Sequence, residues 1–528
     1  MRGTDIRRIG RVAARMPGAR GVFSSGVEAA GWPPPARAIS RIIAIGLLCS
    51  TVPGIAAEPE SDLPNRLDLS LEEAVFLAIG NNRELIGARL DRVVERFSLR
   101  VAENKFRPHV EIGSHLDRTH TAPSMDLVTT GVGSTVALRI PTGGQFNLDW
   151  SGARKGGDSP SRSRYSNELV FTFTQPLLRG SGIGVNTASV RIAQAVEQSN
   201  LLTLKQTIID VITSVIKSYR DYMQAEHRVE IRTKSLQRAQ GLLAVNESLV
   251  RSGRMAERDV VQTKADIAGR ELQLVAARNS LDAARLALTD ILDIDSRTRI
   301  RLTETLSEAL AGEPEQDGMA GSIETALQQR PDYRQAVLGI EIAEAQMEVA
   351  ESERRWDLSA TLSSKLSSLD DTLGGAAGHV DGTDYGLRLD LRIPIGAAAD
   401  PRDQKYVQAK TALRKAQNNL ANLRQRVDIE VSNALREVEL SHRQVELARS
   451  ARELVEEKVE VEKEKLRLGL SSNFRLVTFE DDLVTAQNSE LDSIIAHRTA
   501  VTALDRTLGT TLERWNIEIR DVDREDLQ

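Results

Sequence analysis

The glycine-rich segment 180–184 is the first stretch of this sequence whose residue types could do chemistry. It reads Gly-Ser-Gly-Ile-Gly, after a predicted strand and before a predicted helix, which is the context of a dinucleotide-binding loop. The third glycine of that motif is not at the required spacing, and the following helix is far too long for a βαβ unit. These glycines therefore favour flexible joints between a strand and a helix over a nucleotide site.

Histidines and aspartates are the other residues that could form a site. The seven histidines, including His115 and His120 in one strand region, show no metal-binding spacing along a helix. Asp290, Asp293 and Asp295 near a helix end lack the glycine of a calcium loop. Isolated surface histidines and a solvated helix end explain them better. Because Walker A, His-Glu-x-x-His and paired-cysteine motifs are also missing, we expect no cofactor, no metal, no catalytic residues and no enzymatic activity.

The overall composition favours long helices and excludes nucleic acid as a partner. Aromatic residues make up only 4% of the 528 residues, and the second half is rich in Ala, Glu, Lys, Leu and Arg. The formal net charge is -6, and acidic and basic residues are interspersed. The chain therefore has no basic stripe that would neutralise phosphates.

Residues 1–57 are predicted to be an N-terminal extension that ends in a secretory signal peptide. Two arginines precede the apolar stretch 42–50, and small residues up to Ala57 follow it. A membrane anchor is the alternative, but the stretch is shorter than the ~20 residues that a spanning helix needs. Cleavage after Ala57 removes Cys49, the only cysteine, so the mature chain would contain no disulfide. Beyond Ala57 no apolar run approaches the ~20 residues of a spanning helix, so any membrane crossing must use strands closed into a barrel.

The clearest organisational feature is an internal repeat. Residues 78–85 match residues 326–333, and the register holds without gaps through 101–103 and 349–351. Later landmarks correspond as well, namely 174–177 with 392–395 and 251–253 with 467–469. Each half is therefore predicted to contain a helix, a strand region, a very long helix, a glycine turn and a returning helix.

This repeat divides the chain into five segments. After residues 1–57, the first repeat (58–296) is predicted to contain a helix over 70–105, strands within 109–176, a long helix over 185–251 and a returning helix over 256–294. A linker or equatorial segment (297–320) leads to the second repeat (321–512), with a helix over 321–355, strands within 357–394, a long helix over 402–467 and a returning helix over 473–510. Residues 513–528 form a C-terminal tail.

Proline spacing sets the helix lengths. None occurs between Pro176 and Pro314 or after Pro401, so a helix of about 65 residues and roughly 100 Å can run in each half. Such a helix must lie along other helices. The first long helix has an apolar residue at every seventh position, as in a coiled coil: Val215, Tyr222, Val229, Leu236, Leu243 and Val250. The simplest arrangement stacks the two shorter helices of each repeat end to end along the long one.

The second long helix carries two apolar seams. One contains Val438, Val445, Val459 and Leu466, interrupted by Arg452, and the other contains Leu440, Leu447, Leu454, Val461 and Leu468. A displacement of two residues places the seams on nearly opposite sides of the helix. Two seams predict a neighbour on each side, as in a wall of helices closed into a tube. An antiparallel bundle with a broad apolar face is the alternative.

Residues 385–393 alternate strictly between apolar and polar side chains. Leu387, Leu389, Leu391 and Ile393 share one face, and Arg388, Asp390 and Arg392 share the other. This pattern is typical of a membrane-barrel strand with a charged lumen. Similar alternation occurs at 169–174, and weaker alternation at 109–116 and 358–366. A soluble antiparallel sheet with one wet face is the alternative.

Each half therefore supplies at least one hairpin. Four strands cannot close a lumen wide enough for passage, so several copies must share one barrel. A further hairpin is predicted from strands at 136–140 and 146–150, joined by Pro141-Thr-Gly-Gly144. The residues do not say whether this hairpin enters the barrel or decorates it.

Over nearly all of residues 68–512 these features resemble the TolC-like outer-membrane efflux proteins. The resemblance rests on the duplicated starts at 81–85 and 330–333, on Gln175-Pro-Leu-Leu-Arg-Gly180 after a strand, and on the glycine turns at 253 and 469. It implies a mainly α fold with a membrane β-barrel, in which duplicated halves build a trimeric α-helical tunnel plus a shared antiparallel barrel. The implied location is the outer membrane of a Gram-negative bacterium, with the tunnel in the periplasm. The implied partners are two further copies, a periplasmic adaptor (membrane fusion) protein, an inner-membrane transporter and outer-membrane lipid.

The same resemblance assigns candidate sites. Asp259 matches the acidic residue of the family's first tip, and Arg475 and Thr478 stand where the best-known member has aspartates. Glu480, Asp481 and Asp482 lie about one turn deeper and are further gate candidates, for which a solvated helix surface is the alternative. Arg388, Asp390 and Arg392 are expected to face the barrel lumen. The adaptor-contacting tips are Ser252, Gly253, Arg254, Met255 and Ala256, and Leu468, Gly469, Leu470, Ser471 and Ser472.

We therefore predict a channel subunit that gives passive exit to substrates of a tripartite efflux pump or a type I secretion system. An energised inner-membrane partner would drive transport, and interhelical contacts at the tip would act as a gate. The alternative is a periplasmic structural or adhesive coiled-coil protein without channel activity. The residues do not distinguish small-molecule, metal and protein cargo.

Overall fold

The computed structural model describes residues 66–121, 125–157, 164–304, 319–378, 380 and 382–518. The predicted extension and signal peptide, with Cys49, lie outside the described residues. The described chain is mainly helical and consists of two repeats of helices and strands. Among the helices of this described part, none is long and apolar enough to cross a membrane.

The first half runs from a short strand through a broken helix and four strands to two long helices. Its elements are β1 (Arg66–Leu69), α1 (Leu71–Asn81), α2 (Arg83–Glu103), β2 (His109–Thr121), β3 (Met125–Arg139), β4 (Gln145–Gly157), β5 (Arg164–Pro176), α3 (Ile183–Arg251) and α4 (Glu257–Ile291). Helix α3 has 69 residues and is therefore roughly 100 Å long.

The second half repeats this order with two strands instead of four. Its elements are β6 (Arg299–Leu302), α5 (Met319–Gln329), α6 (Pro331–Arg354), β7 (Asp357–Asp370), α7 (Leu373–Gly378), β8 (Gly382–Arg392), α8 (Asp400–Arg467), α9 (Asn473–Leu508) and α10 (Thr511–Arg514). Helix α8 has 68 residues. The short helix α7 interrupts the region that was expected to contain only strands.

Each half contains one break between two consecutive helices, and the backbone conformation at this break is the same in both halves. Helices α1 and α5 have 11 residues each and are followed by a single extended residue, Asn82 or Arg330. The φ and ψ angles are -59° and 125° at Asn82 and -63° and 123° at Arg330. The predictions of unbroken helices over 70–105 and 321–355 are therefore wrong at these two positions.

Different residues cause the same break. Pro331 disfavours helical backbone at the residue before it, Arg330. In the first half the Asn82 side chain accepts hydrogen bonds from the amides of Glu84 and Leu85, and so starts α2 as an N-cap.

The helices lie side by side in two tiers. In the tier next to the strands, contacting neighbours follow the order α2, α3, α6, α8. In the tier away from the strands, the order is α4, α3, α9, α8. The long helices run through both tiers, and the shorter helices of each half occupy one tier each. This is the stacked arrangement that the helix lengths predict.

The joints between stacked helices are polar. The Asn82 side-chain amide donates to the carbonyl of Ile291, at the end of α4, over 3.4 Å. In the second half, Arg330 donates to Glu430 of α8 at 2.7 Å and to the carbonyl of Thr507 at 3.3 Å. The two break residues thus tie the end of each returning helix to the start of the helix stacked on it.

The two seams of α8 have different surroundings. The seam of Val438, Val445, Val459 and Leu466 is buried and packs on α9, which agrees with the prediction. The other seam is exposed by between 46% and 70% of each side chain, at Leu440, Leu447, Leu454, Val461 and Leu468. One side of α8 therefore lacks a neighbour within the described part of a single chain.

The core is densest where α3 crosses the parallel pair of β1 and β6. Tyr219 and Tyr222 of α3 are buried there, and their hydroxyls donate to the carbonyls of Leu69 at 3.2 Å and Ile300 at 2.9 Å. Burial raises the pKa of both phenols, so they remain protonated donors. The predicted linker 297–320 therefore contributes a strand to the core.

The C-terminal segment also belongs to this core. Trp515 and Ile517, which follow α10, pack against the cluster that contains Tyr219 and Tyr222. The predicted tail 513–528 is thus part of the fold as far as residue 518, and the rest lies outside the described residues.

Six strands form one antiparallel sheet in the order β2, β3, β4, β5, β7, β8. The hairpin of β3 and β4, whose place the sequence left open, lies inside this sheet, because β3 pairs with β2 and β4 pairs with β5. The two repeats meet between β5 and β7. The sheet therefore contains the four strands predicted from alternation and the two strands of the predicted hairpin.

Replacing Tyr219 and Tyr222 together with Phe should lower the free energy of unfolding by about 2 kcal/mol, because two buried hydrogen bonds of about 1 kcal/mol each are lost. Urea denaturation of the detergent-solubilised protein measures this change. Tyr333→Phe is the matched control, since Tyr333 is half-buried and lies outside this core. Equal losses in the double variant and the control would contradict the role assigned to the two hydroxyls.

Candidate functional site

Two turns at the far ends of the long helices have the same geometry. They contain Gly253, after α3, and Gly469, after α8, with φ of 74° and 75°. In each turn the glycine amide bonds to the carbonyl three residues back, at 2.9 and 3.0 Å. The next amide bonds to the carbonyl five residues back, at 2.9 and 2.8 Å. This double capping requires a left-handed residue, which explains the glycine in both turns.

The predicted tip residues lie at these turns. Ser252, Gly253, Arg254 and Ala256 are exposed and Met255 is half-buried; Leu468, Gly469, Leu470 and Ser472 are exposed and Ser471 is half-buried. Leu468, Leu470 and Phe474 together form an exposed apolar group, with 65%, 73% and 66% of their surfaces accessible. The second turn is therefore the more apolar of the two.

A buried polar cluster, formed by Asn246, Thr263 and Asn473, joins the two turns. The Asn246 amide donates to Thr263 Oγ1 and to Asn473 Oδ1, both at 2.9 Å. The Asn473 amide donates to Thr263 Oγ1 at 3.0 Å. Helices α3, α4 and α9 are thereby held in one register, since buried polar groups need their partners.

Sequence reasoning missed this polar cluster, although one signal was present. Asn246 lies three residues after Leu243 and four before Val250, within the heptad seam of α3. A lone Asn at such a position typically specifies register at some cost in stability. Thr263 and Asn473 carry no comparable signal, because each becomes a partner only through tertiary contacts.

Arg270 of α4 is a second buried polar centre near the tips. Its guanidinium donates to Asp266 at 2.8 Å and to Asp481 of α9 at 2.7 Å, and it also contacts Ser235 of α3. Burial raises the pKa of Asp481, against the opposing charge of Arg270. This contact ties α4 to α9.

The neighbouring acids make equivalent contacts to other helices. Glu480 is buried and lies 2.5 Å from Arg238 of α3, with Lys463 of α8 at 3.6 Å. Asp482 pairs with Lys458 of α8 at 3.0 Å. The three consecutive acids 480–482, predicted as gate candidates, therefore hold α9 to α3, α4 and α8 within one chain.

The remaining gate candidates lie closer to the surface. Asp259 is half-buried, and its carboxylate is 3.9 Å from Arg258. Arg475 is 3.7 Å from the buried carboxylate of Glu462, and Thr478 donates to its own helix backbone at Phe474, over 3.0 Å. Within the described residues, the structure brings Arg475 to Glu462 but forms no ion pair between Asp259 and Arg475.

A cavity of about 390 Å³ opens among α3, α4, α8 and α9 beside these contacts. Leu242, Val245 and Leu466 line it, together with Arg238 and Arg270. Protein interiors are normally close-packed. Near the tips α8 and α9 share an apolar cluster, whereas α9 is joined to α3 and α4 by discrete polar contacts beside this cavity.

One face of the six-stranded sheet is apolar across all of its strands. Side chains of residues paired across strands share a face, and one such row runs from Val110 through Val136 and Leu148 to Phe171. In the neighbouring row, on the side of the helices, the ring of Phe146 stacks on the ring of Phe173, with 4.3 Å between their centroids. This second row continues from Phe173 through Leu362 to Leu387. On the edge strands, Ile112 and Leu387 are 76% and 73% exposed, so the described part of the chain leaves this face uncovered.

The opposite face of the sheet is polar. Thr135 donates to Asp149 at 2.7 Å, and Lys365 pairs with Glu168 at 2.9 Å. The predicted lumen residues Arg388, Asp390 and Arg392 lie on this face of β8, because they alternate with the leucines of the apolar face. That this polar face lines a lumen stays a prediction.

The chain that has this combination of a sheet and two tiers of long helices matches a known protein family and several solved structures. Residues 76–293, from within α1 to just beyond α4, match the model of the outer membrane efflux protein family. This match assigns residues 76–293 to the outer membrane efflux protein family. The match covers most of the first repeat, and the second repeat corresponds to it through the internal duplication.

Solved structures of outer-membrane channels share the fold of this chain. CusC, described in relation to transmembrane channel formation, superimposes with a TM-score of 0.64 at 15% identity, over 86% of this chain and 95% of CusC. VceC from Vibrio cholerae gives 0.62 at 14% identity, over 83% and 96%. The open state of MtrE from Neisseria gonorrhoeae gives 0.64 at 16% identity, over 83% and 88%. No curated protein matches the sequence itself.

Replacing Gly253 or Gly469 with Ala should loosen the tips by about 1 kcal/mol, because Ala is strained in the left-handed conformation. Nothing lies within 4 Å of an added Cβ at either position, so backbone strain alone is tested. Hydrogen exchange of the turn amides should accelerate about 5-fold, the factor that corresponds to this energy. Gly241→Ala and Gly269→Ala are matched controls in helix interiors with equally open surroundings, and they should slow exchange. Acceleration in the controls as well would contradict this explanation.

Proposed function

We propose that three copies of this chain form an outer-membrane channel that gives passive exit to cargo. The observation that carries the proposal is the six-stranded sheet with one uncovered apolar face, attached to two tiers of helices roughly 100 Å long. An apolar face that extends over six strands needs lipid or protein to cover it. The match of residues 76–293 to the outer membrane efflux protein family supports lipid as that cover.

The lateral edges of the helix layer support assembly from identical copies. In the tier away from the strands, α8 exposes the uncovered seam described above, and α4 at the opposite edge exposes Val261, Leu272, Val275 and Leu286. If neighbouring copies are related by a rotation, the exposed seam of α8 in one copy is buried against the exposed row of α4 in the next. Interfaces of this head-to-tail kind close into rings.

The tips are the surface that we assign to a periplasmic adaptor. Their exposed apolar group of Leu468, Leu470 and Phe474 suits the apolar face of a partner helix. In this proposal an inner-membrane transporter supplies the energy, because the chain itself contains no nucleotide-binding motif. The system served would be a tripartite efflux pump or a type I secretion system.

The contacts of α9 provide a gate for this channel. The pairs Arg270–Asp481, Arg238–Glu480 and Asp482–Lys458 hold α9 against three helices in the structure. Exchange of these pairs for contacts with an adaptor would let the α8–α9 hairpin move as a two-state element. The description of MtrE in an open state supports a tip with two states in proteins of this fold.

The membrane assignment can be tested by extraction. The mature protein should stay in the membrane fraction in high salt and in carbonate, and detergent should release it as a trimer, because its apolar sheet face lies in lipid. Release by carbonate without detergent would instead favour the periplasmic structural or adhesive coiled coil.

The gate can be tested by single-channel recording. Arg270→Met and Asp481→Asn should each raise the conductance of the purified channel several-fold, because either change removes the contact between α4 and α9. Arg278→Met, on the exposed side of α4, is the matched control and should leave conductance unchanged. Arg475→Ala and Asp259→Ala test the surface candidates in the same way. Unchanged conductance in the Arg270 and Asp481 variants would exclude this pair from the gate.

A further inference from the structure

Among the residues that the structure describes, the sheet has two unpaired edges, β2 and β8. Each pairs with one neighbour only, and they are 13 and 11 residues long. Edge strands present free backbone donors and acceptors, and soluble proteins shorten or block them for that reason. In lipid such groups must be paired. Both edges therefore require a strand from another chain.

The directions of the strands allow the edges to pair with each other. Because all neighbours in a sheet of six strands are antiparallel, β2 and β8 run in opposite directions. The β8 strand of one copy therefore meets β2 of the next in the same antiparallel sense as every other pair. The apolar face also continues across this junction, from Leu387 and Leu389 on β8 to Val110 and Ile112 on β2.

Charge complementarity on the polar face supports the same pairing. Glu111 lies on the polar face of β2, between Val110 and Ile112, and Arg388 and Arg392 lie on the polar face of β8. Within the described part of the chain, these three side chains form no ion pair. Opposite charges across neighbouring strands stabilise a sheet.

On the basis of the trimer proposed above, we propose that the closed wall has eighteen strands, six from each copy. At every junction β8 pairs with β2 of the next copy, in a register that places either Arg388 or Arg392 opposite Glu111. With strands ~4.8 Å apart and tilted by ~40°, eighteen strands close at a backbone diameter of about 36 Å, whereas four strands per copy would close at about 24 Å. Barrels with this many strands enclose an aqueous lumen. The sheet end is then wide, and selection of cargo falls to the tips.

Disulfide trapping tests the junction directly. In the full-length Cys49→Ser chain, Arg388→Cys is combined in turn with Glu111→Cys, Gly113→Cys and His115→Cys, which scans the register along the polar face of β2. Membranes are oxidised and the products separated on a denaturing gel. At least one combination should give dimers and trimers and nothing larger. Arg388→Cys with Asp149→Cys, on β4, is the competing pair, because it would react only if β2 and β3 lay outside the wall.

The outcomes separate this inference from the function it rests on. Cross-linking of β8 to β4, or no cross-linking to any of the three β2 positions in a protein that is trimeric by mass, overturns the eighteen-stranded wall and leaves the trimeric channel standing. A monomeric protein in detergent overturns the trimer itself. A barrel diameter near 24 Å in electron micrographs of the unmodified trimer would also overturn the inference.

Discussion

One constraint shapes this protein: two helices of 69 and 68 residues must have their long sides covered. No compact core can do so, because each helix is roughly 100 Å long. The chain meets the constraint by duplication, with one short and one returning helix from each half filling the two tiers. Cover is complete between the halves, where α6 and α9 lie between α3 and α8. It is incomplete at the outer edges, where the apolar rows of α4 and α8 remain exposed.

The sheet also has surfaces that need cover, namely its two strand edges and its apolar face. Within the described residues its backbone is paired internally except at β2 and β8, and most of its large apolar side chains lie on one face. The uncovered helix rows and the unpaired strand edges occur on the same chain, so a single rotation that relates neighbouring copies would satisfy both. This agreement between two independent kinds of surface is a stronger argument for a ring than either one alone.

Long-range periodicity made much of the fold predictable, while single-residue effects limited the prediction. Heptads and proline-free stretches set the two long helices to within a few residues, and the turns at Gly253 and Gly469 follow from their glycines. The breaks at Asn82 and Arg330 were missed because one residue ends each helix inside a pattern that continues. All six strands were predicted, but the place of the hairpin of β3 and β4 was left open, because strand alternation does not say which strands become neighbours in a sheet. The polar contacts of Arg270 and Asn246 depend on which helices become neighbours, so no local pattern reveals them.

The distribution of polar contacts explains how one chain could combine the stable tunnel and the movable tip that we propose. Near the β1–β6 pair the helices are joined by a close-packed apolar core around Tyr219, which loses free energy with any displacement. Near the tips α8 still packs on α9 through an apolar cluster, but α9 is joined to α3 and α4 by ion pairs and amides beside a cavity of about 390 Å³. Water or a partner's polar groups can replace an ion pair at little net cost, whereas nothing in water replaces apolar packing. In the proposed channel, movement is therefore expected at the end of the helices that we assign to the partner.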